Sequence, residues 1–129
     1  AVLNYGHTFA HAFETVGGYG AWLHGEAVAA GMAAAARIGV RAGVTPTSLV
    51  ERQDALLESF GLPTRLDGLS APALLRAALW DKKVRGGKVR WVLPTALGSS
   101  ALFADVPEED VRTVLLELGA VDGAPPPHA

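Results

Sequence analysis

Three of the four histidines in this 129-residue chain lie near its start, in an otherwise apolar, alanine-rich stretch: His7, His11 and His24. His7 and His11 are spaced so that, on a helix, their imidazoles project from one face, one turn apart. Neutral imidazole is a good zinc ligand, and a catalytic zinc typically takes three protein ligands and leaves one coordination position open. The pattern therefore indicates a divalent metal bound beside a proton-transfer group.

The alternative interpretation is that these are ordinary buried or capping histidines, and their concentration in one stretch argues against it. The fourth, His128, lies in a proline-rich tail and is interpreted as a solvated side chain. The His-x-x-x-His spacing also occurs in zinc peptidases, whose general base is a glutamate directly after the first histidine. Here that position is Thr8, so the peptidase interpretation fails.

The clustered histidines fall on two predicted helices joined by a short connector. Apolar residues follow helical spacing over residues 5–16, and the glycines within residues 17–20 end this helix and form the connector. A second helix is predicted over residues 24–41, ending at Ala42-Gly43. Two antiparallel helices joined this tightly would bring His24 back toward the first helix.

Two further helices follow. Thr45 is the expected N-cap of the third, with Pro46 in its first turn, and this helix should run to about Phe60. The fourth opens at residues 70–72 and runs toward Lys82.

The remaining segment is predicted to form a small β-hairpin and a last helix. Strands are expected over residues 88–93 and 100–103 with a loop between them, and Pro107 opens the last helix. The predicted fold class is therefore mainly α with one small β-hairpin. Its expected boundaries are a helical metal- and substrate-binding domain over residues 1–118 and a disordered tail over residues 119–129.

Composition limits the classes of function. The net charge of −2 and pI near 6.1 argue against a general nucleic-acid or membrane-surface binder. No apolar run reaches the roughly 18–20 residues of a spanning helix, because His24 and Glu26 interrupt the longest candidate. The absence of cysteine excludes a disulfide scaffold and a cysteine-based metal site, and it is compatible with a reducing cytosol.

Several stretches resemble the C-terminal half of 3-dehydroquinate synthases, and the resemblance covers about residues 3–120. They are Leu3-Asn4-Tyr5-Gly6-His7-Thr8-Phe9-Ala10-His11-Ala12-Phe13-Glu14, Leu23-His24-Gly25-Glu26-Ala27-Val28, Gly31-Met32, Asp81-Lys82-Lys83, Gly86-Gly87-Lys88 and Val92-Leu93-Pro94. One departure is Ala10, where glycine is usual in the family. A methyl group there would tighten packing but remove no ligand.

The resemblance implies a helical C-terminal domain, contained in this chain, and an N-terminal NAD-binding domain, which we expect to be missing upstream because the chain opens without Met on a structured motif. It implies a cytoplasmic lyase that converts 3-deoxy-D-arabino-heptulosonate 7-phosphate to 3-dehydroquinate and phosphate. Its cofactors would be zinc or cobalt, and NAD held mainly by the missing domain. The full-length enzyme would be a homodimer, and the fragment alone should be inactive.

The resemblance also implies roles for individual residues. His7 and His24 match the two histidine metal ligands of the family, and the third ligand is a glutamate upstream of this chain. His11 matches the histidine that handles protons or the phosphate. Asn4 matches a substrate-binding amide, and Lys82 is the first choice for a substrate-binding cation.

Other charged residues near these motifs are interpreted as structural. Glu26 is expected to cap or hydrogen-bond at the start of its helix, and Glu14 to orient its neighbours. Without the resemblance, Lys82, Lys83 and Arg85 would be interpreted as a solvated charge cluster after a helix.

Three alternative functions remain. One is another sugar-phosphate cyclase, such as a 2-deoxy-scyllo-inosose synthase, although Asn4, His11 and the lysine pair together favour the dehydroquinate branch. Another is the metal domain of an iron-type alcohol dehydrogenase, which would not account for the Asp81-Lys82-Lys83 block. The last is a non-catalytic helical domain, which the zinc content of the protein would distinguish.

Overall fold

The structure is a computed structural model that describes residues 9–10, 12–14, 24–84, 91–96, 99–103 and 106–122; for residues 24 and 80–84 it describes the backbone alone. The elements in these ranges are α1 (His24–Arg41), α2 (Thr47–Ser59), α3 (Ala71–Val84), β1 (Trp91–Ala96), β2 (Ser99–Phe103) and α4 (Glu108–Glu117). Residues 9–10 and 12–14 also have helical backbone. The predicted fold class, mainly α with one small hairpin, is confirmed.

The central element is α1, whose predicted bounds are confirmed. Alanine has the highest helix propensity and a small side chain, so an alanine-rich helix forms readily and lets its neighbours approach closely. The helix contacts α2, α4 and β1. Its buried residues in the main core are Ala27, Ala30, Ala34, Ala35 and Ile38. Beyond its end, Gly43 has a φ of 78°, a left-handed conformation that glycine adopts without strain.

The connection from α1 to α2 departs from the sequence prediction. Thr45 is not the N-cap of α2; that position is Pro46, and it provides no side-chain cap hydrogen bond. Instead the buried Thr45 hydroxyl donates a hydrogen bond to the backbone carbonyl of Pro94 in β1. The threonine therefore ties the end of α1 to the hairpin rather than starting the next helix.

Polar contacts hold α2 on α1. The amide Nε2 of the buried Gln53 donates to the Met32 carbonyl at 2.9 Å. Nearby, the two guanidinium nitrogens Nη1 and Nη2 of Arg37 donate to the two carboxylate oxygens of Asp54, and Nη1 also donates to the Ala33 carbonyl. This forked geometry, partly shielded from water, fixes the relative rotation of the two helices.

The hairpin extends past the predicted end of its first strand, while residues 88–90, where that strand was predicted to start, lie outside the described part of the chain. β1 pairs antiparallel with β2, with Trp91 opposite Phe103, and a register shift lies between Pro94 and Ala96. The strand thus continues through Pro94, where the sequence predicts a loop. Proline is tolerated because, in a two-stranded ribbon, each strand is an edge and a missing N–H need not break a ladder.

Residues 119–122 belong to the packed domain, although the sequence analysis assigned them to a disordered tail. The Val121 N–H donates to the Leu69 carbonyl at 2.7 Å, and the Ala71 N–H donates to the Val121 carbonyl at 2.8 Å. Ala120 is buried, and Asp122 forms an ion pair with Arg112. These long-range contacts order a segment whose own composition favours disorder. Residues 123–129 lie outside the described part of the chain.

The start of α3 is confirmed. Ser70 precedes the helix, and its hydroxyl accepts a hydrogen bond from the Ala73 N–H at 3.3 Å, as an N-cap does. Within the described ranges, no helix combines the length and the hydrophobicity that crossing a bilayer requires.

Candidate functional site

The predicted site involves a segment whose histidines lie outside the described residues. Asn4, His7 and His11 are among those not described. Four of their described neighbours belong to the core and are almost fully buried: Phe9, Ala10, Ala12 and Phe13. The described part of the segment is therefore anchored in the protein interior.

Aromatic rings make that anchorage specific. The ring centroids of Phe9 and Phe13 are 5.7 Å apart with an interplanar angle of 28°. The centroids of Phe9 and Trp91 are 5.2 Å apart at 18°. Aromatic pairs at such distances stabilise the folded state beyond the contribution of burying each ring alone. The segment is thus joined to the first residue of β1 by a layer of rings.

His24 is the first residue of α1, as predicted, so its Cα position is set by the central helix of the domain. An open cleft of about 500 Å³ lies near this end of α1 and includes Glu26 and Thr64 in its lining. Glu14 and Glu26 each have an interaction partner in the protein. This is compatible with structural roles for both carboxylates.

Lys82 lies in the last turn of α3, which ends at Val84. Lys83 is its neighbour, and successive helical positions are about 100° apart around the axis, so the two lysines occupy different faces of α3. The backbone therefore allows one of them to face a site while the other faces away.

The donor chemistry suits the implied metal. His7 and His24 would supply two imidazoles, and zinc and cobalt both accept imidazole nitrogen. Among the residues that the structure describes, no cluster of three or more histidines, aspartates or glutamates is placed to hold a metal ion. Two imidazoles leave a third ligand to be supplied, because a catalytic zinc typically takes three protein ligands.

The motifs that predict the site do not indicate the supporting residues Phe9 and Trp91. The four-residue spacing of Phe9 and Phe13 does predict a buried helical face from the sequence. No local pattern, however, indicates that Trp91 is the residue that packs against it.

Two solved synthases share the fold of this domain. A structure of 2-epi-5-epi-valiolone synthase from Streptomyces hygroscopicus subsp. jinggangensis 5008, with NAD+ and Zn2+ bound, matches 89% of this chain and 32% of that chain with a TM-score of 0.79 at 24% identity. That likeness concerns the fold alone. A 2-deoxy-scyllo-inosose synthase complexed with carbaglucose-6-phosphate, NAD+ and Co2+ matches 88% of this chain and 32% of that chain, with a TM-score of 0.70 at 27% identity.

The family follows from the sequence comparisons. The 3-dehydroquinate synthase C-terminal family model matches residues 1–84. The curated 3-dehydroquinate synthase of Synechococcus sp. (strain CC9605) is 50% identical over 92% of this chain, and that of Nostoc punctiforme is 48% identical over 89%. The chain therefore belongs to the 3-dehydroquinate synthase C-terminal family. It spans about a third of the length of these relatives, 32% in each case.

Proposed function

We propose that this chain forms the metal- and substrate-binding part of a cytoplasmic 3-dehydroquinate synthase, a lyase that makes 3-dehydroquinate and phosphate from 3-deoxy-D-arabino-heptulosonate 7-phosphate. The observation that carries the proposal is the 50% identity to a curated synthase over 92% of the chain. The relatives are about three times as long as this chain. A domain equivalent to their remaining part would supply most of the NAD site, a third metal ligand and the homodimer contacts.

In this proposal the chain's residues bind, orient and transfer protons. His7 and His24 hold the metal, and Asn4 hydrogen-bonds a substrate hydroxyl. His11 transfers a proton or assists the phosphate as it leaves, and Lys82 binds anionic oxygens as a point charge. When bound, zinc or cobalt would polarise substrate oxygens, and NAD would accept a hydride and return it.

The packing of the first segment supports these roles. On the helix predicted over residues 5–16, His7 and His11 are each roughly 160–200° around the axis from Phe9, at 3.6 residues per turn. Phe9 and Phe13 are buried in the core. A helix anchored by one face in this way would direct the opposite face, with both imidazoles, away from the core and toward a cleft.

The direct test is product formation by the intact gene product. With 3-deoxy-D-arabino-heptulosonate 7-phosphate, NAD and zinc we expect equimolar 3-dehydroquinate and phosphate, measured by chromatography and a phosphate assay. The 129-residue chain alone is expected to give none. Cyclisation of glucose 6-phosphate instead would support a 2-deoxy-scyllo-inosose synthase, and activity with neither substrate would contradict the proposal.

Replacing Lys82 by alanine in the intact gene product should raise the KM for the phosphorylated substrate by about 10-fold to 100-fold, the worth of one charge-assisted hydrogen bond. Lys83→Ala is the matched control, because it removes the same charge from a different face of α3. Its KM should stay within about twofold of the parent value, as for an exposed charge. Equal, small effects of both substitutions would support the interpretation that the two lysines form a solvated charge cluster. A larger effect of Lys83→Ala would make Lys83, rather than Lys82, the substrate-binding residue.

A further inference from the structure

Trp91 joins β1 to the segment that contains Phe9 within the core. It begins β1, is only 2% exposed, and packs face to face with Phe9 at 5.2 Å between ring centroids. Phe9 stands midway between His7 and His11 in the sequence and stacks in turn on Phe13. A displacement of the Trp91 ring would therefore displace Phe9, the residue midway between the two histidines in the sequence.

The strand that carries Trp91 is itself held rigidly. β1 is paired with β2 and contacts α1, the helix that begins at His24. The Thr45 hydroxyl fixes the β1 backbone at the Pro94 carbonyl. Trp91 thus connects the segment of His7 and His11 to the same framework that carries His24.

From this geometry we infer that Trp91 is a positioning residue: through its stack on Phe9 it fixes Phe9 relative to the framework of β1 and α1, and so sets how tightly the proposed site holds its metal. The inference rests on the function proposed above. Trp91 touches neither substrate nor metal in this account and acts only through Phe9.

An ordinary core residue would behave differently. Removing its bulk lowers the stability of the fold but leaves the molecules that remain folded with an unchanged site. Removing a positioning residue changes the geometry of the folded molecules themselves. Because a misplacement of about 1 Å can cost about 100-fold in rate, the two roles are separable by measurement.

The experiment uses the intact gene product with Trp91→Leu, Trp91→Phe and, as a control, Leu115→Ala. Leu115 lies in α4 and is fully buried in the same core. For each variant, zinc affinity is measured by competition with a chromophoric chelator, kcat and KM by product formation, and the thermal midpoint by circular dichroism. Cobalt-substituted protein adds a visible spectrum that reports ligand geometry.

For Trp91→Leu we expect kcat to fall by about 10-fold to 100-fold, zinc to dissociate more readily and the cobalt spectrum to shift, with KM nearly constant. Trp91→Phe keeps a ring for stacking and should recover kcat to within about threefold of the parent. Leu115→Ala should lower the thermal midpoint while the folded protein keeps its zinc affinity and spectrum.

Trp91→Leu protein with a lowered thermal midpoint but parental zinc affinity, spectrum and kcat would overturn the inference. If that variant does not fold, Phe9→Leu removes the same stack from the other side with less loss of volume, and the same shifts are expected. Parent protein that neither binds zinc nor makes 3-dehydroquinate would overturn the proposed function and the inference together. An active parent with an unaffected Trp91→Leu site overturns the inference alone.

Discussion

Substituting His7 by alanine in the intact gene product is expected to abolish tight zinc binding and, with it, turnover. In the proposed site His7 is one of two histidine ligands, and its loss leaves His24 and one upstream ligand. Removing a residue that only hydrogen-bonds to a metal ligand lowers metal affinity by about 10-fold to 100-fold. Removing a direct ligand should therefore lower zinc affinity by more than about 100-fold. Zinc per protomer after dialysis against a chelator, measured by atomic emission, is the readout.

The matched control is His128→Ala, which removes an imidazole from the proline-rich tail. That variant should retain parental zinc content and activity, because His128 is not among the residues proposed to bind the metal. The thermal midpoints of both apoproteins show whether folding accounts for any difference. If His7→Ala protein keeps its full zinc content, His7 is not a metal ligand, and the interpretation as a non-catalytic helical domain is favoured.

Helices with strong local signals could be predicted from the sequence. The bounds of α1 follow from an unbroken alanine-rich run that ends before Gly43, and the start of α3 follows from the capping residue Ser70. In each case the propensity of the chain and the tertiary packing favour the same structure. Local rules therefore suffice.

The errors all arise where a long-range contact overrides a local preference. Thr45 resembles an N-cap, but its hydroxyl bonds instead to the Pro94 carbonyl, 49 residues away. Pro94 resembles a strand end, yet it continues a strand that pairs, among the described strands, with β2 alone. Residues 119–122 resemble a tail, but Val121 is paired with the chain before α3. Thr45, Pro94 and residues 119–122 each admit two local structures, and only contacts with the rest of the fold select between them.

The ligand residues of the candidate site could be predicted from the sequence, but the residues that pack against the same segment could not. Histidine types and spacing indicate a metal centre because ligand chemistry depends on short motifs. The stacking of Phe9 on Trp91 depends on how β1 docks against the first segment. No local pattern contains that information, since the two rings are far apart in the sequence, at positions 9 and 91.

The second large effect concerns Gly39, on the last turns of α1. A Cβ at this position would lie 1.8 Å from Thr45 Oγ1 and 2.8 Å from Thr45 Cβ. The hydroxyl cannot rotate away without losing its buried hydrogen bond to the Pro94 carbonyl. We expect Gly39→Ala to lower the free energy of unfolding by about 2 kcal/mol, because overpacking and the lost hydrogen bond exceed the roughly 1 kcal/mol that alanine gains over glycine in a helix.

Gly25 in the same helix provides the control for Gly39→Ala, since nothing lies within 4 Å of a Cβ built there. Gly25→Ala should leave stability unchanged or raise it by about 0.5–1 kcal/mol through helix propensity alone. Denaturant unfolding of both variants measures the difference. Combining Gly39→Ala with Thr45→Gly removes both clashing atoms, so the double variant should lose less stability than the sum of the two single losses. Strict additivity would mean that the methyl group and Thr45 do not meet, and the close approach of α1 to this threonine would then not be what requires glycine at position 39.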